Sequence, residues 1–523
     1  MVSALANVMN NKHRTRQITA LSLAALAGAA VMVVELGVAR ILTPVFGGSI
    51  SVWAIVIATT MLALAAGYAF GGYRADRTGG IVVACRAAAI GAMLCALIPF
   101  VRVSVLEQTI ALSTLGGAAI AAVLLIAPSL FFLSQVSPAL IRGLADEGVT
   151  HVGVTAGGIY AVSTLGSLVG TLAAVWAFLY LPLVQGFVFT AVLVAIPILL
   201  LRVTPGITVL VSGGLLLGLA VYQERSTDTL RGQNTLGQDF VLIDKRNSLY
   251  GEIRIVERDE RYRFMIVNGF DQGGIDLQTG ESAYDFDEGL IGLGRLYARE
   301  PASVLLIGLG PGVIAQKLQE AGLRVDSVEI DAEVGRLARE YFNYAGEVIV
   351  DDGRRFLQRA DHSWDMIIVD AFAGGSPPWQ LYTREALSLY SEHLNPGGVV
   401  VLNLVGSHLD PAQRMALAAV VSTAREVFTT VDAYPDPWEP DEYPTRNIFI
   451  AAANQPRRIA RQEGEPARAD SLPEAIARSE PVRVPTGRIL TDESAPLDLL
   501  VRHTTQILRN RVREYIPVKI LLN

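Results

Sequence analysis

The sequence predicts a multi-pass α-helical membrane bundle, then a small antiparallel β domain, then a doubly wound α/β sheet. Three observations carry that reading. The chain has 523 residues, more than one ordinary domain uses. Its composition is 51% hydrophobic and 18% charged, with mean hydropathy +0.40, whereas soluble domains carry about 25% charge. The bias is also uneven: long apolar runs fill residues 17–222, and an ordinary charged chain with alternating strand and helix patterns follows from 223.

A helix needs about 20 apolar residues to cross the hydrocarbon layer. Candidate spans are 18–38, 49–72, 80–101, 109–134, 153–180, 183–201 and 206–222, the last being short and glycine-rich. The first run is too long for a cleavable signal peptide. Positive charges fall before the first span (Lys12, Arg14, Arg16), then at Arg74 and Arg77, at Arg142 and at Arg202. These are alternate loops, and they place the N-terminus in the cytoplasm. Seven crossings would then put the rest of the chain outside, so a cytoplasmic soluble domain requires one candidate to fail, and 206–222 is the expected one. Glu35 sits at membrane depth, where an ionisable group either functions or pairs with an arginine near the helix end. Gly71–Arg77 resembles the short cytoplasmic loop motif of major-facilitator transporters, and a plain tight turn accounts for it equally.

The net charge of −7 argues against nucleic acid, which requires clustered Lys and Arg. The two cysteines, Cys85 and Cys95, both lie in an apolar run, so no disulfide framework is expected in the soluble half. None of the six histidines has metal-ligand spacing, and no metal site is expected.

Domains are expected at 1–222 (membrane bundle), 223–280 (small β domain), 281–453 (α/β sheet) and 454–523 (linker and helical C-terminal region). Asp239–Asp244, Gly251–Val256 and Tyr262–Val267 alternate like strands of an antiparallel sheet. Val304–Ile307 is a buried-strand run ending in the loop Gly308-Leu309-Gly310-Pro311-Gly312, with a helical pattern after it. Further strands are read at Val325–Ile330, Val348–Val350, Met366–Val369 and Val399–Leu404, with helices near 332–343 and 383–394. This alternation implies a parallel, Rossmann-like (class I methyltransferase-like) doubly wound sheet, whose ligands bind outside the carboxyl ends of the strands. Every candidate falls there. Gly308, Gly310 and Gly312 let backbone approach a ligand, and Glu329 ends the second strand, where a carboxylate can accept two ribose hydroxyls. Asp352 and Gly353 follow the third strand, suited to an adenine amino group, and Asp370 closes the fourth. The bland alternative makes these acids helix caps or surface turns.

With these residues in place, the soluble half resembles the spermidine synthase (polyamine aminopropyltransferase) family, and the whole chain resembles its membrane-fused bacterial branch. The matching pieces include Tyr250-Gly251-Glu252-Ile253, Asn268-Gly269-Phe270-Asp271-Gln272, Tyr284, the glycine loop, Val328-Glu329-Ile330-Asp331, Asp352-Gly353, Ile368-Val369-Asp370, Leu381-Tyr382 and Tyr443-Pro444. The resemblance implies transfer of the aminopropyl group of decarboxylated S-adenosylmethionine to an amine such as putrescine, releasing methylthioadenosine, with no permanently bound cofactor. It implies that Gln272 and Glu329 contact the nucleoside, Asp352 and Gly353 the adenine, and that Asp370 is the general base. Tyr284 and Tyr443 would line the amine site. It also leaves a homo-oligomer open.

Three positions depart from the family pattern. Pro311 stands where an acid usually precedes the last glycine of the loop, and Ala373 where a second acid closes the catalytic strand. Asp285 replaces a histidine after Tyr284. Asp285, or Asp271 beside Gln272, is the expected substitute for the lost acids. Two other readings compete: an S-adenosylmethionine-dependent methyltransferase, and a non-catalytic polyamine or nucleoside sensor or transporter. Beyond 453, residues 454–487 read as a solvated linker and 497–514 as an amphipathic helix, whose Arg509, Arg511 and Arg513 either pack or touch anionic lipid.

Overall fold

The computed structural model describes residues 2–201 and 230–522, except 111, 147–151, 182, 299, 374, 440–444 and 457–478; between 201 and 230 it describes residue 214 alone. The chain divides after Thr229 into two compact units. The first is a helical bundle: α1 (Val2–Phe46), α2 (Ile50–Thr78), α3 (Gly80–Thr109), α4 (Thr114–Ser134), α5 (Val136–Asp146), α6 (Val152–Tyr180) and α7 (Leu183–Leu200). Among the described residues, six segments are long and apolar enough to cross a membrane: Thr15–Phe46, Ile50–Thr78, Gly80–Thr109, Thr114–Asp146, Gly153–Tyr180 and Leu183–Leu200. These match the first six expected spans. The seventh, 206–222, lies almost wholly outside the described residues.

Small residues set the packing of this bundle by letting helix backbones approach closely. Gly166 and Gly170, four residues apart on α6, lie against the backbones of Ala25 and Ala29 on α1, and a Cβ at either glycine would collide with them. Ser167 Oγ, between the two, donates to the Gly28 carbonyl at 3.0 Å. Gly71 and Gly80 meet Gln135 and Gly143 in the same way. The stretch 71–77 forms the last turns of α2 rather than a loop, with the chain turning at Gly79, where φ is +90°. Its Asp76 accepts from Arg142 of α5 at 3.1 Å. Arg40 donates to the Phe178 carbonyl of α6 at 3.0 Å.

The second unit contains two sheets. Strands β1 (Arg231–Gln233), β2 (Asp239–Asn247), β3 (Glu252–Arg258), β4 (Tyr262–Val267) and β5 (Phe270–Asp276) form an antiparallel meander. The other sheet is built from β6 (Ser303–Ile307), β7 (Arg324–Glu329), β8 (Ile349–Val350), β9 (Trp364–Val369), β10 (Leu394–Gly406), β11 (Thr430–Pro435) and β12 (Arg446–Ala453). Their spatial order is β11-β12-β10-β9-β6-β7-β8. The five strands from β10 to β8 are parallel, and β12 runs antiparallel to both of its neighbours. From β6 the chain winds first to β7 and β8, then crosses to β9 and β10, so the order reverses between β6 and β9. That is the point at which an open α/β sheet leaves a ligand crevice.

Buried side chains cover both faces of the sheet. Val304, Leu306, Met366, Ile368, Val399 and Val401 point to one side, against the helix Phe286–Tyr297 and the helix Val313–Glu320. Leu305, Ile307, Ile367, Val369, Val400 and Leu402 point to the other, against the helix Pro411–Arg425. The near-continuous apolar runs of the sequence follow from that two-sided burial. Residues 395–398, expected as a turn before the last strand, are absorbed into β10, with a register shift between Leu394 and Val399. The C-terminal chain is integral to this unit: Leu490, Leu497 and Val501 join the core beside Val420 and Ala416. Ile516 and Ile520 pack with Phe240, Val256 and Ile266 of the meander.

Replacing Gly170 by Leu forces α1 and α6 apart, an overpacking cost of about 1–3 kcal/mol. Thermal melting of the full chain in detergent should show a loss of several degrees for Gly170→Leu. Gly72→Ala, a site with open space around it, should melt like the parent.

Candidate functional site

A cavity of about 770 Å³ lies over the β6–β9 crevice, walled by the carboxyl ends of the strands and by β5 of the meander. The loop after β6 forms its floor. Gly308, Gly310 and Gly312 all adopt positive φ (+96°, +53° and +89°), which an L side chain rarely takes. Gly308 also abuts the carbonyl of Asp370, and a Cβ there would strike it. The loop and Asp370 are therefore held edge to edge: the Asp370 N–H donates to the Ile307 carbonyl at 2.9 Å, extending the β6–β9 pairing to the strand ends.

Glu329, at the end of β7, ties this loop in place. Its Oε2 accepts the Leu309 N–H at 3.0 Å and its Oε1 accepts the Asp331 N–H at 2.9 Å. Burial pushes its carboxyl above the usual range, against those two hydrogen bonds. Asp352 caps the helix Gly353–Leu357 by accepting the Arg355 N–H at 2.9 Å. It lines the cavity as well, with Gly353 beside it, so one side chain both caps the helix and faces the cavity. Asp351, its neighbour, is instead held by Arg355 and Arg359 and sits below the usual carboxylate range.

Asp370 projects from the end of β9 into the cavity. Desolvation is the largest influence on it and pushes its pKa up to about 6; a hydrogen bond from Asn403 Nδ2 at 2.8 Å pulls it down, and nearby Asp287 raises it further. Gln272, on β5, lines the same cavity, with its amide donating to the Asp271 carbonyl at 3.2 Å. Tyr284 lines it too. Its hydroxyl donates to Asp271 Oδ2, and its ring lies tilted between Phe264 and Phe286 at centroid distances of 5.9 and 6.1 Å. Asp271 also accepts the Gly273 N–H at 2.8 Å, and burial raises its pKa.

Asp285 is placed differently from the expectation. It is exposed ahead of the helix Phe286–Tyr297 and is absent from the cavity wall, whereas Asp271 lies on it. Tyr443 falls outside the described residues. Pro311 and Ala373 both line the cavity, so the positions of the two missing acids do face the site.

Several lining residues were not singled out from sequence. Asp287, fully buried and bridged to Lys317 at 2.7 Å, is an acid on the apolar face of an amphipathic helix. Asn403 interrupts the otherwise apolar core of β10. Those two breaks in pattern were the available signals. Leu508, Val512 and Ile516 of the C-terminal segment complete the wall, and no local pattern announces that. Arg509 and Arg511 turn inward there. Arg509 is buried with its guanidinium 5.2 Å from the Phe270 ring centroid, and burial lowers its pKa to about 9. Arg511 donates to the Thr445 carbonyl at 3.0 Å. Both pack against this unit, the first of the two roles read for them from sequence.

The Gly308 contact yields a stability test. Gly308→Ala combines left-handed strain with a backbone collision, whereas Gly322→Ala, at φ +83° in open space, suffers the strain alone. The strain costs about 1–2 kcal/mol. Melting of the full chain should fall clearly further for Gly308→Ala than for Gly322→Ala.

The spermine/spermidine synthase domain matches residues 284–435. A probable polyamine aminopropyl transferase of Bifidobacterium longum is 28% identical over 234 residues, 41% of this chain and 52% of that protein. A polyamine aminopropyltransferase of Vibrio vulnificus is 28% identical over 297 residues, 52% of this chain and 95% of that one. The chain thus spans about half the length of the first relative and nearly all of the second. Among solved structures, a probable spermidine synthase from Corynebacterium glutamicum aligns at 22% identity with TM-score 0.37, covering 42% of this chain and 83% of that one. The chain thus carries, at 284–435, a match to the spermine/spermidine synthase domain, and its curated relatives over that part include polyamine aminopropyltransferases.

Proposed function

We propose that the second unit is an aminopropyltransferase, moving the aminopropyl group of decarboxylated S-adenosylmethionine to a primary amine and releasing methylthioadenosine. The observation that carries this is a desolvated carboxylate, Asp370, standing in the cavity beside the glycine loop of a spermine/spermidine synthase domain. Putrescine is the proposed acceptor.

The chemistry follows from the residue types. An amine with pKa near 10 is almost fully protonated at neutral pH, and an ammonium has no lone pair with which to attack. Asp370 binds the ammonium and takes one proton as the nitrogen closes on the methylene beside the sulfonium. The sulfonium leaves as a neutral thioether. Holding the two reactants within about 3–3.5 Å supplies several kcal/mol of the barrier reduction. Glu329 and Gln272 would hold the nucleoside, and Asp352 with Gly353 the adenine. The Gly308–Gly312 backbone would lie beneath them. The Tyr284–Asp271 pair would steady the amine chain through a phenol face and a charge, in place of the acids absent at Pro311 and Ala373.

For the first unit we propose insertion in the cell membrane, with both the N-terminus and the second unit on the cytoplasmic side. The six membrane-length helices among the described residues support this arrangement, together with the basic residues at 12–16, 74–77 and 142.

Incubation of the protein with decarboxylated S-adenosylmethionine and a panel of di- and polyamines, with mass analysis, tests the reading. Methylthioadenosine and a lengthened amine are expected; S-adenosylhomocysteine from S-adenosylmethionine would point to methyl transfer instead. Asp370→Asn should lower turnover about 10²–10⁴-fold, the usual contribution of a positioned base. The base must be ionised to act, so kcat/KM for the amine should climb with pH through about 6 and level off above it. A flat profile between pH 5 and 7 would oppose Asp370 as the base.

A further inference from the structure

We propose that the Asn403 carboxamide is a second binding group for the attacking nitrogen, its Oδ1 accepting one ammonium N–H while its Nδ2 holds Asp370. The proposal rests on the aminopropyl-transfer reading and extends it to a residue of β10 that reading does not require. Asn403 is the polar residue in the run Val399-Val400-Val401-Leu402-Asn403-Leu404, is only 1% exposed, and lines the cavity. Its Nδ2 donates to Asp370 Oδ1 at 2.8 Å. An ionised carboxylate only accepts, so the amide must turn its NH2 toward Asp370 and its oxygen away. That oxygen is buried and has no hydrogen-bond partner among the described residues. A buried acceptor left unpaired is costly, so its presence calls for a donor that arrives with the substrate.

The ammonium is such a donor. It brings three N–H groups: one for Asp370, one for Asn403 Oδ1 and one for the rest of the site. Pro311 and Ala373, on the same wall, offer no side-chain acceptor. A neutral amide also avoids a third negative charge beside Asp370, which already feels Asp287. The residue is anchored from its backbone as well, since the buried Tyr382 hydroxyl donates to the Asn403 carbonyl at 2.7 Å. In the transfer step Asp370 takes the proton from nitrogen, the freed lone pair forms the N–C bond, and the C–S bond breaks with both electrons going to sulfur. Asn403 exchanges no atoms; it fixes where nitrogen sits and which way the carboxylate faces.

The test uses the full chain in detergent, with putrescine as the probe and methylthioadenosine present. Calorimetry should show putrescine binding weakened about ten- to a hundredfold in Asn403→Leu, the loss expected for a hydrogen bond to a charged group. Methylthioadenosine affinity should stay within about twofold, which separates this effect from a damaged fold. Asn403→Asp keeps the size but sets two carboxylates side by side, so the acid limb of its kcat/KM profile should move above the parent's. Unchanged putrescine affinity in Asn403→Leu, an unmoved limb in Asn403→Asp, or no putrescine binding by the parent protein would overturn the assignment. If the parent binds putrescine in the Asn403-dependent manner and yet never forms methylthioadenosine from decarboxylated S-adenosylmethionine, the transfer reading fails while the amine site stands.

Discussion

A carboxylate is costly to keep where Asp370 stands, and the architecture of the second unit is arranged around it. The Asp370 N–H to Ile307 bond continues the parallel pairing of β6 and β9 to their carboxyl ends, so the acid emerges where the strand order reverses. Desolvation there raises its pKa to about 6, and the Asn403 hydrogen bond keeps it from rising further. The balance is useful for proton abstraction. A fully hydrated aspartate near 4 would be a weaker base, and one held above 8 would be protonated at neutral pH.

Around that acid, charge is distributed differently from the family pattern. Neutral Pro311 and Ala373 occupy the wall, while Asp271, held by Tyr284, and Asp287, bridged to Lys317, stand on other parts of it. Glu329 braces the glycine loop through Leu309, and Asp352 both starts a helix and faces the cavity. Hydrogen bonds with backbone N–H groups give Glu329 and Asp352 fixed positions.

Much of the fold was legible because it rests on local patterns. The apolar runs of the first 201 residues gave six helices long and apolar enough to cross a membrane, and the buried-strand runs 304–307 and 366–369 gave the centre of the parallel sheet. That Gly308, Glu329, Asp352 and Asp370 would reach the cavity was readable because they sit at strand ends, where such sheets leave their crevice. What escaped depends on long-range packing. The C-terminal segment reaches the cavity through contacts with the α/β core, made by Leu497 and Val501, and with the meander, made by Ile516 and Ile520, all with partners distant in sequence. Asp285 was read as a site residue from its place beside Tyr284, yet successive side chains at a helix start diverge, and Asp287 is the one that turns inward. Arg509 looked like a surface charge in its amphipathic helix until Phe270 was seen to cover it.

The central claim is the protonation behaviour of one side chain, and difference infrared spectroscopy of the full chain, parent minus Asp370→Asn, reads it directly. A carboxyl band titrating near pH 6, and moving to lower pH when putrescine and methylthioadenosine are added together, is the predicted result. A band that titrates below 4 and ignores both ligands would contradict the account.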